Sequence, residues 1–219
     1  MTRVGPWVTL AAVAVLGGGL VVVNMSKEDP APVAVETASA SAAVTPGAVA
    51  STDQSAAPAP DFPETADYVG TIGLASGGTM TVSITVEGDR AVAYACDGAK
   101  VESWSQGSAE GGALRLTGKN DATLEGRLEG QAVQGTLAIG AKQWAFTAEP
   151  VQAPAGLYTY ESDGVRQSWI VDDGGQVTGV QRAANGTTSA APGLGTDATA
   201  TIGGARVTAT KVSGADHVG

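Results

Sequence analysis

The residues Gly78-Thr79-Met80-Thr81-Val82-Ser83-Ile84-Thr85-Val86 decide the fold class. Met80, Val82, Ile84 and Val86 alternate with Thr79, Thr81, Ser83 and Thr85, and a period of two puts the two sets on opposite faces of a β-strand. The pattern predicts a sheet with one face on a core and the other in water. Glu87-Gly88-Asp89 turns the chain, and Arg90 to Cys96 returns. Its Val92, Tyr94 and Cys96 form the expected core face, with three alanines opposite. Asp97-Gly98 then signals a hairpin, because glycine accepts positive φ.

The same rhythm runs outward on both sides, from Tyr68 to Glu149. Lys100 to Gln106 is a strand bearing Trp104. Leu114 and Leu116, Leu124 and Leu128, then Val133, Leu137 and Ile139 alternate with polar residues, and Trp144 and Phe146 close the series. Turns recur about every ten residues, as in a meander. Gly126 and Gly135 fall in mid-strand, where a missing side chain permits sharp curvature. After a break at Pro150–Pro154, strands are predicted around Leu157 to Tyr160, Gln167 to Val171 and Gln176 to Gln181, with Asp172-Asp173-Gly174-Gly175 as a turn. Ala183–Ala198 reads as a polar loop, Ala205–Val212 as a last strand, and 213–219 as a flexible tail. No segment past Val23 has helical periodicity. Edge strands must be managed, and a barrel or a folded-over sheet does so. The expected fold is all-β: an antiparallel meander forming a small barrel or strongly curved sheet over 67–149, with additional strands over 150–212 packed on it or completing it.

Before this domain lie two segments of different character. Val4 to Val23 carries no charge and has about the length of a membrane span at the helical rise. Arg3 precedes it, while Lys27, Glu28 and Asp29 follow, which orients the N-terminus to the cytoplasm and the domain outside. Residues 1–25 therefore read as a transmembrane helix serving as signal anchor. A protein secreted after signal cleavage is the alternative, although Val21-Val22-Val23-Asn24-Met25 makes a poor cleavage site. Residues 26–66 hold twelve alanines and six prolines. Such a stretch cannot bury enough surface to fold and reads as a disordered, extended linker.

Composition limits the partners. The chain of 219 residues has a formal net charge of −10. From Asp67 onward 16 acidic residues face 10 basic ones, leaving −6 in the domain. No basic face for phosphates is expected, so nucleic acid is excluded as a partner. The single cysteine precludes an intramolecular disulfide. No cofactor fingerprint, GxSxG or P-loop is present, and neither a cofactor nor a metal is expected.

The candidate residues are few. Cys96 is the one available thiol; its alternation with Val92 and Tyr94 points it inward, and Asp97 beside it raises rather than lowers its pKa. Asp172 and Asp173 are an adjacent carboxylate pair, but the following glycines mark a turn. His217, the sole histidine, stands on the predicted tail. Trp104, Trp144, Tyr158 and Trp169 are candidate ligand-binding aromatics should they converge on one apolar or sugar-stacking surface; otherwise they are the few large residues of an alanine-rich core. No catalytic residue is assigned.

Tyr94-Ala95-Cys96-Asp97-Gly98, followed by Val101-Glu102-Ser103-Trp104, resembles a pattern in uncharacterised, membrane-anchored exported proteins of actinobacteria. Gly156-Leu157-Tyr158 and Trp169-Ile170-Val171 are similar to theirs as well. The resemblance spans about Tyr68 to Val180. It implies location and fold; the family brings no established activity. The expectation is a membrane-anchored extracytoplasmic β domain, held by residues 4–23, that serves as an envelope binding or structural module with an envelope protein or small apolar ligand as partner. A small-ligand carrier with a lipocalin-like barrel is the alternative, and an enzyme comes third.

Overall fold

The computed structural model describes residues 60–218. The expected anchor, and the linker as far as residue 59, lie outside the described residues. The described part is all-β and contains no helix. Its first eight strands are β1 (Thr65–Gly73), β2 (Thr79–Glu87), β3 (Arg90–Cys96), β4 (Glu102–Glu110), β5 (Ala113–Gly118), β6 (Thr123–Glu129), β7 (Ala132–Ile139) and β8 (Lys142–Val151). Each pairs antiparallel with its sequence neighbour, and β8 pairs back onto β1 through Asp67↔Val151 and Gly70↔Ala148. The meander thus closes into a barrel, which removes the exposed edges an open sheet would leave.

Alternation fills the barrel. Met80, Val82, Ile84, Leu114, Leu116, Leu124, Leu137 and Phe146 belong to one continuous buried cluster that also includes Ala91, Ala93 and Ala95. Large residues from one side therefore meet small ones from β3, at the strand number where side chains just fill the interior. Glycines make the required coiling feasible. A Cβ on Gly135 would lie 2.1 Å from the Glu125 carbonyl oxygen, and one on Gly107 2.1 Å from that of Arg115. At these places neighbouring strands approach more closely than any side chain allows.

A second layer follows. Strands β9 (Gly156–Ser162), β10 (Val165–Val171), β11 (Val177–Arg182), β12 (Thr188–Ala190), β13 (Thr199–Ile202), β14 (Ala205–Thr208) and β15 (Thr210–Lys211) complete the chain. Five of them form a sheet in the order β12-β11-β10-β9-β15, and β13-β14 is a separate hairpin. One sheet face packs on the outside of the barrel, where Leu157, Ile170, Val180 and Val212 meet Val69, Val92, Tyr94, Cys96 and Trp104. Its other face buries Tyr158, Trp169 and Val171 beneath Leu194, Ala200 and Ala209.

This second layer changes four expectations. Thr81, Ser83 and Thr85, predicted to face water, are buried beneath the sheet. Two of their hydroxyls find partners there: Thr81 Oγ1 donates to Thr178 Oγ1 at 3.3 Å, and Thr85 Oγ1 to Asp67 Oδ1 at 2.9 Å. In β3 both faces are buried, and the alanine face, not the Tyr94–Cys96 face, lines the barrel. The predicted polar loop contains β12, and its Leu194 bridges to Ala200, because a cover is needed over the apolar outer face of the sheet. The tail is docked: Val218 N–H donates to Gln106 Oε1 at 2.9 Å, and Gly214 sits against the backbone of Val86 and Glu87. At the other boundary the domain begins earlier than Asp67. β1 starts at Thr65, and Phe62 stacks edge-on against Tyr68 with ring centroids 6.1 Å apart.

Candidate functional site

The seam between barrel and sheet carries the most concentrated polar arrangement. It begins with the Asp97 turn. Asp97 Oδ1 accepts the backbone N–H groups of Ala99, Lys100 and Val101 at 2.9, 2.8 and 2.9 Å. Partial burial works against the carboxylate, but these amides outweigh it and hold the carboxyl below its ordinary range. The turn so fixed sets Cys96 opposite Glu102 and Tyr94 opposite Trp104 in the β3–β4 ladder. Tyr94 and Trp104 stack with centroids 4.5 Å apart at 42°.

From the sheet side comes a second cross-strand pair. Arg166 and Arg182 are direct partners between β10 and β11. Two like charges so placed repel, and Glu102 offsets that repulsion. Its side chain is 1% exposed. Oε2 accepts the Tyr94 hydroxyl at 3.0 Å, and Oε1 accepts Arg182 Nε. Arg166 Nη2 stands 3.8 Å from the same Oε1, near enough for Coulomb attraction but too far for a hydrogen bond. The Arg166 guanidinium also lies over Trp104, 5.1 Å from the ring centroid, a cation–π arrangement. Burial pushes the Tyr94 phenol well above its ordinary pKa, so it remains a donor to Glu102.

Among the described residues five buried side-chain polar atoms have no hydrogen-bond partner. Three are Ser83 Oγ, Gln167 Oε1 and Ser168 Oγ; the other two, Trp104 Nε1–H and Arg166 Nε–H, belong to this seam. An orphaned buried donor costs about 1–3 kcal/mol, which makes such a pair worth explaining. Both residues line a cleft of about 500 Å³, together with Gln106, Lys119, Glu161 and Arg182. The type of turn at Asn120 and Asp121, with φ of 57° and 55°, brings the Lys119–Asn120 end of the β5–β6 hairpin to its rim. Glu102 and Glu161 against Lys119, Arg166 and Arg182 leave the lining with a net +1, in a chain whose total is −10.

The four candidate aromatics do not converge. Trp104 lines this cleft. Trp144 is partly buried against the barrel cluster and borders a separate groove with Ile72 and Phe146. Tyr158 and Trp169 are cross-strand partners on the far face of the sheet. There Tyr158 Oη donates to the Pro154 carbonyl at 2.9 Å and Trp169 Nε1 to that of Pro192 at 2.7 Å. Both polar tips are thus satisfied within the core. Cys96 is fully buried next to the seam, and burial raises its thiol to about 11, with Gly98 N–H and the Tyr94 hydroxyl pulling only partly the other way.

Tyr94 and Glu102 stand in the sequence motifs but, like Arg166 and Arg182, were not among the candidate site residues read from the sequence. One signal was available for the arginines. Counting outward from the Asp172–Gly175 turn along the pair Val171↔Val177 makes Arg166 and Arg182 opposite each other. Nothing local points either of them toward Glu102, which lies 80 positions from Arg182.

Comparison with protein-family models, curated proteins and solved structures returned no match.

Proposed function

We propose that this chain is a membrane-anchored extracytoplasmic protein whose β domain is a binding module at the cell envelope, with the seam cleft as its binding site. Residues 4–23 are the anchor, the Ala/Pro-rich linker is the spacer, and the partner is an envelope component. One observation carries the reading: Trp104 Nε1–H and Arg166 Nε–H are buried at a cleft and lack a protein acceptor. Ser83, Gln167 and Ser168 also keep unpartnered polar atoms, but none of them lines the cleft, whereas these two donors converge on it and each subtracts from stability until an acceptor arrives. The positive lining within an acidic chain adds a directional preference among solutes.

The carrier alternative fares worse. A lipocalin-like carrier needs an internal cavity, and the barrel interior is occupied by a continuous cluster of buried side chains.

The test is native mass spectrometry of the full-length protein extracted from its own envelope in mild detergent, beside an Arg166→Gln variant. The expected result is a bound species on the wild type that is lost from the variant. A wild type carrying nothing, or a species retained by the variant, would remove the cleft as the site. Recovery of the full-length chain in the soluble fraction would remove the anchor.

A further inference from the structure

We infer that the seam cleft takes a carboxylate, bound by the Arg166 guanidinium and the Trp104 indole N–H; this rests on the cleft being the binding site. The two unpartnered groups that line the cleft are both donors, and neither an indole nor a guanidinium can accept a hydrogen bond. The missing ligand atoms are therefore acceptors, which rules out an ammonium group. Arg166 retains its capacity. Both Glu102 oxygens are engaged by Tyr94 and Arg182, and Arg166 Nη2 stays outside hydrogen-bond distance at 3.8 Å. A guanidinium in that state offers Nε and an Nη as a planar fork matched to two carboxylate oxygens. Trp104 Nε1–H supplies a third donor.

Charge selects among oxyanions. The lining sums to +1, and it includes the carboxylates of Glu102 and Glu161. A phosphate near neutral pH carries about −1.5 to −2 and would be repelled by both more strongly than a monoanion. One carboxylate neutralises the lining. Neither orphan nitrogen is open to bulk solvent, so entry requires Arg166 to change rotamer. Its side chain is 20% exposed at the cleft surface, and the change would give up its place over Trp104. No bond is made or broken; the process is binding alone.

The indole N–H resonances of the full-length protein in detergent micelles give the test, with the Trp104 peak assigned from Trp104→Phe. Three probes are titrated at constant ionic strength: benzoate, its neutral isostere benzamide, and inorganic phosphate. Benzoate is expected to move the Trp104 peak downfield and to saturate, while the other two leave it nearly in place. Arg166→Lys, which keeps the charge but loses the fork, should weaken benzoate about tenfold or more. The Trp169 peak, held by Pro192, should stay fixed in every sample and so reports an intact fold. Phosphate or benzamide matching benzoate would overturn the carboxylate assignment while leaving the cleft as a site. Silence from all three probes would overturn the carboxylate as well, and if native extraction also showed no Arg166-dependent species, the binding reading would fall with it.

Discussion

Glu102 on β4 and Arg182 on β11 belong to different sheets and meet across the seam, the carboxylate almost wholly buried and the guanidinium 40% exposed. That asymmetry sets which partner matters more. Removing Arg182 leaves a buried carboxylate with only Tyr94 in hydrogen-bond contact and Arg166 at 3.8 Å. Removing the charge of Glu102 leaves an arginine that water can reach. A lone buried charge costs about 3–5 kcal/mol, less where neighbours remain. Arg182→Met is therefore expected to destabilise by about 2–3 kcal/mol and Glu102→Gln by about 1 kcal/mol. Urea unfolding of the two variants checks the order; equal losses, or a larger loss for Glu102→Gln, would reject the asymmetry.

Cys96 should behave as a core side chain and not as a reagent. Only the thiolate is nucleophilic, and a thiol raised to about 11 is almost entirely protonated at pH 8. In the folded protein a disulfide reagent such as dithiobis-nitrobenzoate is expected to label Cys96 only as fast as the seam opens, and at once in denaturant. Labelling of the native protein at the denatured rate would show that Cys96 is accessible.

The same shift predicts a pH dependence. The Cys96 pKa rises on folding from about 9.0 to about 11, so between those values the unfolded chain has released a proton that the folded chain keeps. Deprotonation then favours the unfolded state, and stability is intact below pH 9 and falls as pH rises toward 11. Two pKa steps correspond to about 3 kcal/mol. Tyr94 shifts in the same direction and adds to the loss above pH 10. Unfolding free energies at pH 7.5 and pH 10.5 should differ clearly for the wild type and less for Cys96→Ala. An unchanged slope in the variant would move the effect elsewhere.

Strand identity was legible in the barrel meander where one face meets water. It was less so at the end of the chain, where Thr199–Ile202 was not read as a strand and Ala205–Val212 divides into β14 and β15. β6 alternates buried and exposed positions along its length, and Leu124 and Leu128 stand out against Glu125, Arg127 and Glu129. The threonines of β2 misled, because Thr and Ser are at home in water and beneath a second sheet alike: Thr81 bonds Thr178 of that sheet, Thr85 bonds Asp67 of β1, and Ser83 is buried without a partner. Period-two patterning records that the two faces differ; it does not record what covers the polar one. The site was hidden for a related reason. Its aromatic half is local, since Tyr94, Glu102 and Trp104 surround one hairpin, but its arginines arrive from a separate sheet through packing between layers. Aromatic content pointed to Trp104, which does line the cleft, but equally to Trp144 on a separate groove and to Trp169 and Tyr158, whose polar tips are already bonded to backbone carbonyls.

The docked tail closes one side of the seam. Val218 packs on the cluster between barrel and sheet, lines the cleft and donates to Gln106. Deleting residues 213–219 should leave the barrel folded while speeding amide exchange in β4 around Gln106 and lowering the melting temperature by a few degrees, as expected for a loss of about 1 kcal/mol in a domain of this size. Exchange in β4 unchanged by the deletion would mean that the tail only rests on the surface.

Barrel closure itself depends on glycines for two different reasons, and substitution separates them. Gly135 has no room: an added Cβ would lie 2.1 Å from the Glu125 carbonyl oxygen and 2.7 Å from Gly126 Cα, both backbone atoms that cannot rotate away. Gly130 has open space around its missing Cβ but a φ of +67° at a hairpin turn. Left-handed backbone costs an alanine about 1–2 kcal/mol. Overpacking against a strand backbone forces a shift of the ladder and costs about 3 kcal/mol or more. Gly135→Ala is thus expected to be markedly more destabilising than Gly130→Ala in thermal unfolding, despite its ordinary φ. Similar losses at the two positions would show that β6 and β7 can separate at Gly135 without cost, and the close strand approach would then not be what lets eight short strands close.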